Sequence, residues 1–310
     1  MDIECSETYE YNVEMDDKIV LSENIPTEKL YVYQNDLKYI KYNEIDISKV
    51  KDFPKNYDFS TIDARINECI KNNYEYFDLS HLNLDMLPDT LKNDVKLFTI
   101  KHLFISDNNF KIININIFNN LVTVDLSNNK LKSIPNLPKT IEELSITHNS
   151  IETEDLHKYK HLKRLDISNN KLTSLSIIKA VEVLRCDDNN ITHIKSYPKL
   201  KKISCERNNI HTIEQSEYLE ILECNENNIT KILNFPNLRE LYCNNNDIVN
   251  LGDIPLINIL HCVKNKINKI YFFPILKELA CDYSSTLDIS KKYNIKDSHI
   301  YENYAVLFFE

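Results

Sequence analysis

Leu238-Arg239-Glu240-Leu241-Tyr242-Cys243-Asn244-Asn245-Asn246-Asp247-Ile248-Val249-Asn250-Leu251 reads as Leu-x-x-Leu-x-Cys-x-x-Asn-x-Ile-x-x-Leu. The preceding unit fills the same slots with Leu219, Leu222, Cys224, Asn227, Ile229 and Ile232. The unit before that supplies Leu200, Ile203, Cys205, Asn208, Ile210 and Ile213, and the unit after supplies Ile257, Leu260, Cys262, Asn265, Ile267 and Ile270. Cys186, Cys205, Cys224, Cys243, Cys262 and Cys281 mark the step, each 19 residues from the next. Strict recurrence at that interval predicts a solenoid, in which no coil closes a core alone and neighbours bury each other's apolar face.

Toward the N-terminus the step loosens to 20 or 21 residues and Leu or Ile replaces Cys, as at Leu165-x-Ile167, Leu144-x-Ile146, Val124-x-Leu126 and Leu103-x-Ile105. One asparagine stays in register throughout: Asn108, Asn129, Asn149, Asn170, Asn189, Asn208, Asn227, Asn246 and Asn265. Alternating Leu-x-Leu or Leu-x-Cys predicts a short strand with one buried face. The asparagine falls where the chain leaves that strand, and its amide can satisfy backbone groups that would otherwise be buried without partners. About 14 residues join successive strands. Tyr197-Pro198, Phe235-Pro236, Ile254-Pro255 and Phe273-Pro274 favour extended or turn-rich connections there over helices.

The pattern is similar to that of leucine-rich repeat proteins over about residues 77–289. Ile134-Pro135-Asn136-Leu137-Pro138 through Leu144 resembles the short repeats of secreted bacterial effectors, a form from which the cysteine-type units depart. The resemblance implies an α/β solenoid: an arc of short parallel strands on the concave face, with mostly irregular or 3-10 backs. It also implies a role in binding other proteins.

The six recurrent cysteines read as small apolar residues filling the interior of shorter coils. A straight file of sulfurs is not a tetrahedron, and paired Cys-x-x-Cys knuckles are missing, so neither a metal nor a cofactor is expected. Cys186-Asp187-Asp188 matches the Cys-x-Asp signature of ubiquitin ligases fused to some bacterial leucine-rich repeats. In those the cysteine belongs to a separate C-terminal domain; here it lies inside the ladder.

Residues 1–60 carry 14 acidic residues against 7 lysines, net −7, and the remaining 250 carry 33 against 30, net −3. The overall formal charge of −10 disfavours nucleic acid as a partner. We expect an acidic, mobile tail over 1–25 and a small segment over 26–58 with a hairpin around Gln34-Asn35-Asp36. A capping helix should span 59–74, opened by a capping box at Ser60–Asp63 and carrying an Ile62, Ile66, Ile70 stripe with Cys69. The array follows over 75–289, with a C-terminal cap over 290–310 whose Tyr304–Phe309 run closes the far end as an edge strand. Met1-Asp2-Ile3-Glu4-Cys5 lacks an apolar leader, and no run reaches the ~20 apolar residues of a membrane span. From these features we expect a protein inside a cell and off the membrane.

Gly252 is the single glycine, which excludes glycine-rich phosphate loops and dinucleotide fingerprints. No nucleophile elbow is present and the histidines are scattered, so no enzyme is expected. Residues flanking the buried strand positions point to the concave surface. There Asp187, Asp188, Glu206, Glu223 and Glu226, with Arg185 and Arg207 nearby and Tyr242 and His261 continuing the row, suit a basic, partly apolar segment of another protein. The expected function is thus a non-catalytic binding scaffold. An adaptor or effector-type protein that brings a partner to an enzyme such as a ubiquitin ligase, and a structural assembly component, stand as alternatives.

Overall fold

The computed structural model describes residues 61–282, 288–289, 293–301 and 304–309. The expected tail over 1–25 and hairpin segment over 26–58 lie outside the described residues. A helix, α1 (Ile62–Lys71), precedes a run of three-residue strands: β1 (Tyr76–Asp78), β2 (His102–Phe104), β3 (Thr123–Asp125), β4 (Glu143–Ser145), β5 (Arg164–Asp166) and β6 (Val183–Arg185). The series continues through β8 (Lys202–Ser204), β10 (Ile221–Glu223), β11 (Glu240–Tyr242), β12 (Ile259–His261) and the longer β14 (Glu278–Asp282). All pair in parallel with their neighbours, without slippage: Leu222 faces Ile203 and Leu241, and Leu241 faces Leu260. Short strands β7 (His193–Ile194), β9 (Thr212–Ile213), β13 (Lys269–Ile270) and β15 (Asp288–Ile289) pair on the opposite side. The connections are otherwise irregular, apart from 3-10 turns at Asp89–Asn93 and Val95–Thr99. The described residues form a parallel-strand solenoid with little helix.

The central residue of each strand and the residue two positions on point into the core. Leu103, Ile105, Leu144, Ile146, Leu222 and Cys224 are fully buried. Phe110, Phe118, Tyr197 and Phe235 fill the interior near the backs. The proline of the Phe-Pro and Tyr-Pro pairs stays exposed while the aromatic ring before it is buried.

The asparagine ladder holds the coils in register. Asn227 Nδ2 donates to the carbonyls of Cys205 (2.9 Å), Cys224 (3.2 Å) and Asn225 (3.0 Å), while its Oδ1 accepts from Ile210 N–H (2.9 Å). One side chain thus satisfies backbone groups of two consecutive coils. Asn108, Asn129, Asn149, Asn170, Asn189, Asn208, Asn246 and Asn265 repeat the arrangement. Just before each asparagine the backbone turns through positive φ without glycine: Asp107, Asn128, His148 and Asn169 in the longer coils, then Asp188, Arg207, Glu226, Asn245 and Lys264. Asn and Asp tolerate this region, whereas Arg, Glu and Lys cost more. Glu226→Gly is therefore expected to raise stability by about 0.5–1 kcal/mol, measured as a shift of the urea midpoint at constant slope.

The two ends differ from expectation in detail. The helix is capped by Thr61, whose Oγ1 accepts from Ala64 N–H at 3.2 Å; Ser60, where the capping box is expected to begin, lies outside the described residues. Its buried face is Ala64, Glu68 and Cys69, while Ile70 is exposed and Ile62 and Ile66 are partly buried. The helix is turned by its polar contacts with the first coil: Arg65 pairs with Asp78 (2.9 Å), and Tyr76 donates to Glu68 Oε1 (3.0 Å). At the far end β17 (Tyr304–Phe309) is not the edge. It runs antiparallel between β14 and β16 (Ile295–Ile300), which takes the outside position. Alternation explains this placement: Ala305, Leu307 and Phe309 extend the core row, whereas β16 is mostly exposed.

Candidate functional site

Each strand turns two residues outward, one on either side of its buried centre, and a third outward position follows the second buried residue. Register lines these up as three rows across the concave face. The central row runs Asp166, Arg185, Ser204, Glu223, Tyr242, His261 and Ala280 from β5 to β14.

The third row is structural over most of the cysteine-type coils. Asp187 is only 4% exposed. Its Oδ1 accepts from Ser204 Oγ (2.7 Å) and Glu206 N–H (2.7 Å). Asn225 Oδ1 accepts Asn244 N–H (2.7 Å), and Asn244 Oδ1 accepts Val263 N–H (2.8 Å). This second polar ladder parallels the serines of the longer coils, where Ser127 and Ser145 hydroxyls meet at 2.7 Å. Sequence reasoning places Asp187 toward a partner; the structure places it against the next strand, because its carboxylate is short enough to fold back on that backbone.

The remaining acidic residues of the expected patch are largely neutralised. Arg207 clamps Asp188 with two hydrogen bonds (Nε–Oδ1 2.8 Å, Nη2–Oδ2 2.9 Å) and reaches Glu206 at 2.9 Å. Glu206 also accepts from Asn225 Nδ2 at 2.6 Å. Arg185 lies 3.8 Å from Asp166 and 3.4 Å from Asp187, and Lys202 lies 3.0 Å from Glu223. Glu226 sits exposed on the turn beyond the strands, in a shallow hollow of about 620 Å³ with Asn209, Asn228, Asn245 and Lys264. It does not share the strand face with Glu223. Along the rim, Glu142–Lys163 (2.7 Å), Glu182–Lys201 (2.9 Å) and Glu220–Arg239 (3.9 Å) pair from coil to coil. Such exposed pairs contribute little to stability, but they leave the rim balanced.

Burial dominates the electrostatics at β5. Asp166 is 1% exposed, and desolvation pushes its carboxyl up to about 6, against hydrogen bonds from Ser168 and the positive charge of Arg185. Asp187 and Glu206 are raised for the same first reason. A folded-state pKa above the unfolded one means that the native protein binds the proton more tightly. Stability therefore rises as pH falls through about 6, and that gain is lost as pH climbs back. The urea midpoint is expected to be higher near about pH 5 than at about pH 7.5, with a smaller difference in Asp166→Asn.

The six ladder cysteines are at most 3% exposed. Burial drives the thiols of Cys186, Cys205, Cys224, Cys243 and Cys262 well above their ordinary range and that of Cys281 up to about 12. Cys186, Cys205 and Cys243 Sγ point at the next coil's carbonyls, those of Ser204, Glu223 and His261. Among the described residues the cysteines are unbridged, and no three of His, Cys, Asp or Glu are gathered to hold a metal ion. Replacing Cys224 with serine is expected to cost about 1–2 kcal/mol for burying the hydroxyl, while chelator leaves the melting temperature unchanged.

What the concave face offers lies further along, on β10–β14. Tyr242 is half-buried; its ring meets His261 edge-on with centroids 5.0 Å apart. Its hydroxyl donates to Glu240 Oε2 at 3.2 Å, and burial together with Glu240 raises its pKa. His261 Nε2 lies 2.8 Å from Glu278 Oε1. The first outward row adds residues that sequence reasoning missed: Val183, Lys202, Ile221, Glu240, Ile259 and Glu278, all half-buried. The signal is present in the sequence, since each precedes the central buried residue of its strand.

Comparison with known proteins agrees with this architecture. The Leucine Rich Repeat family model matches residues 120–141 and 161–179. No curated protein matches the chain by sequence. Among solved structures the chain is similar to YopM from Yersinia enterocolitica WA-314, with a TM-score of 0.54, 19% identity, and coverage of 80% of this chain and 61% of that one. It is also similar to the APL1 leucine-rich repeat domain, with a TM-score of 0.51, 18% identity, and coverage of 63% of each chain. The corresponding domain of APL1B gives a TM-score of 0.50 at 16% identity, covering 79% of this chain and 98% of that one. The chain thus spans less than two thirds of the first two structures. Repeat pattern and fold together are those of a leucine-rich repeat array. Among the described residues no helix is long and apolar enough to cross a membrane.

Proposed function

We propose that this chain is a non-catalytic scaffold that captures another protein on the concave face of its repeat array, through the strands β10–β14. The observation that carries the reading is the Tyr242–His261 pair, held half-exposed among Glu223, Glu240 and Glu278 on a sheet whose other charges are mostly paired within the fold. Aromatic side chains that are already ordered lose little freedom on binding and dominate interface energetics. The surrounding carboxylates favour a partner segment with basic side chains. Of the residues expected to bind, Glu223, Tyr242 and His261 remain on the proposed surface. Asp187, Asp188, Glu206, Arg185 and Arg207 are instead engaged in contacts with one another and with adjacent coils. Neighbouring unbridged thiols along one interior file suit a reducing compartment, which supports an intracellular location for the proposed scaffold.

Affinity purification with the full chain tests the proposal. Wild-type protein and the exposed-turn variant Glu226→Gln should retain the same partner, and Tyr242→Ala combined with His261→Ala should lose it while keeping the wild-type circular dichroism spectrum. Retention of the full partner set by the double variant would remove the concave face as the binding surface.

A further inference from the structure

Between Ile221 and Glu278 the first outward row alternates strictly between apolar and acidic: Ile221 on β10, Glu240 on β11, Ile259 on β12, Glu278 on β14. All four are half-buried and stand in direct register. Neighbouring strands in a sheet lie about 4.8 Å apart, so the four side chains form one line with that step. The two carboxylates differ from several others on the strand face and its turns. Asp78, Asp188 and Glu206 each hold an arginine and Glu223 holds Lys202. Glu240 instead takes the Tyr242 hydroxyl and Glu278 takes His261, so each is held in place by a ring of the adjacent row. Among the described residues neither has a lysine or arginine within ion-pair distance.

We infer that this row is a receptor strip for one amphipathic helix of a partner protein, whose stripe alternates basic and apolar side chains at successive turns. The inference rests on the concave-face reading above and adds the chemistry and shape of what binds there. Step length selects the helix. An α-helix lying across the strands advances 5.4 Å per turn, close to one turn per strand, so residues at i, i+4, i+7 and i+11 fall in succession on Ile221, Glu240, Ile259 and Glu278. An extended segment repeats a face only every ~6.8 Å and loses register within two strands. The mismatch of about 0.6 Å per strand amounts to roughly 2 Å over the strip, within the reach of lysine side chains. Width agrees as well: three outward rows span about 13 Å, enough to seat a helix of 10–12 Å diameter. Two isoleucines receive the apolar turns, two carboxylates the basic turns, and the Tyr242–His261 pair forms the wall beside them.

The test uses the full chain and fluorescein-labelled, alanine-based helical peptides at physiological salt, read by anisotropy. One probe carries Leu-Lys-Leu-Lys at successive turns; a second replaces Leu by Ser; a third replaces Lys by Glu; a fourth has the first probe's composition with a central proline. The first probe should bind, and each of the others should bind at least about tenfold more weakly. Glu240→Gln with Glu278→Gln should weaken the first probe by a similar factor while leaving the melting curve in place. Equal binding of the Leu and Ser probes, equal binding of the helical and proline probes, or no loss in the double variant would overturn the strip. If the native partner is lost by Tyr242→Ala with His261→Ala but no probe binds, the strip fails and the concave-face reading stands. If the first probe binds as expected and that variant keeps its partner, the strip stands and the concave-face assignment of the native partner fails.

Discussion

Asn208→Ala lowers the unfolding free energy by about 2–4 kcal/mol, one of the two largest single-residue effects expected in the array. Asn208 Nδ2 donates to the carbonyls of Cys186 (3.0 Å), Cys205 (3.3 Å) and Glu206 (3.0 Å), and its Oδ1 accepts Ile191 N–H at 2.9 Å. The Cys186 and Cys205 carbonyls each retain a second asparagine, Asn189 and Asn227. The Ile191 N–H, in a fully buried residue, keeps none. An orphaned buried donor loses its whole solvation, which is why the cost exceeds the net worth of an ordinary hydrogen bond. Asn208→Asp should be worse than alanine, because a carboxylate offers no donor to three carbonyl oxygens. The neighbouring Asn209 is exposed and its side chain lies outside the ladder, so Asn209→Ala should change stability by less than about 0.5 kcal/mol. Urea titration of the three variants measures the contrast.

Gly252→Ala has the second large effect, about 1–3 kcal/mol of destabilisation. A Cβ built there meets Leu233 O at 2.5 Å, Leu233 C at 2.6 Å and Ile232 O at 2.7 Å. All three are backbone atoms of the preceding coil, so relief requires moving one coil against the next. The backbone at Gly252 is not in the left-handed region, and close approach alone explains the only glycine of the chain. The glycine-free tight turns and this single glycine are two faces of one fact: the left-handed turns tolerate a side chain that points to solvent, whereas the coil contact does not. Gly252→Ser should lose about as much as alanine, and calorimetric melting should show both variants shifted down with their strand content retained.

Much of the architecture was legible because it repeats. Leu-x-x-Leu-x-Cys with a fixed asparagine states strand, core and register at once, and every coil restates it. The outward rows were read less well. Asp187 and Glu223 look alike in sequence, yet one is buried against the adjacent strand and the other lies on the surface, a distinction set by where the neighbouring backbone N–H points. Arg207 looks like a flanking charge, yet it neutralises Asp188 and Glu206, because in-register parallel strands place residues 19 apart side by side. Ile221 and Ile259 each stand next to a core leucine, and nothing within a single unit distinguishes an outward isoleucine there from a further core residue. At the ends, where the repeat stops, neither the turn of α1 nor the insertion of β17 inside β16 followed from pattern alone.

The concave face exists only on a rigid solenoid with a buried file of thiols behind it. Maleimide labelling followed by peptide mapping tests this most directly. In the native protein Cys186, Cys205, Cys224, Cys243, Cys262 and Cys281 should stay unmodified, and all six should react once urea unfolds the chain. Rapid modification of the six in the native state would contradict the solenoid and, with it, the surface it presents.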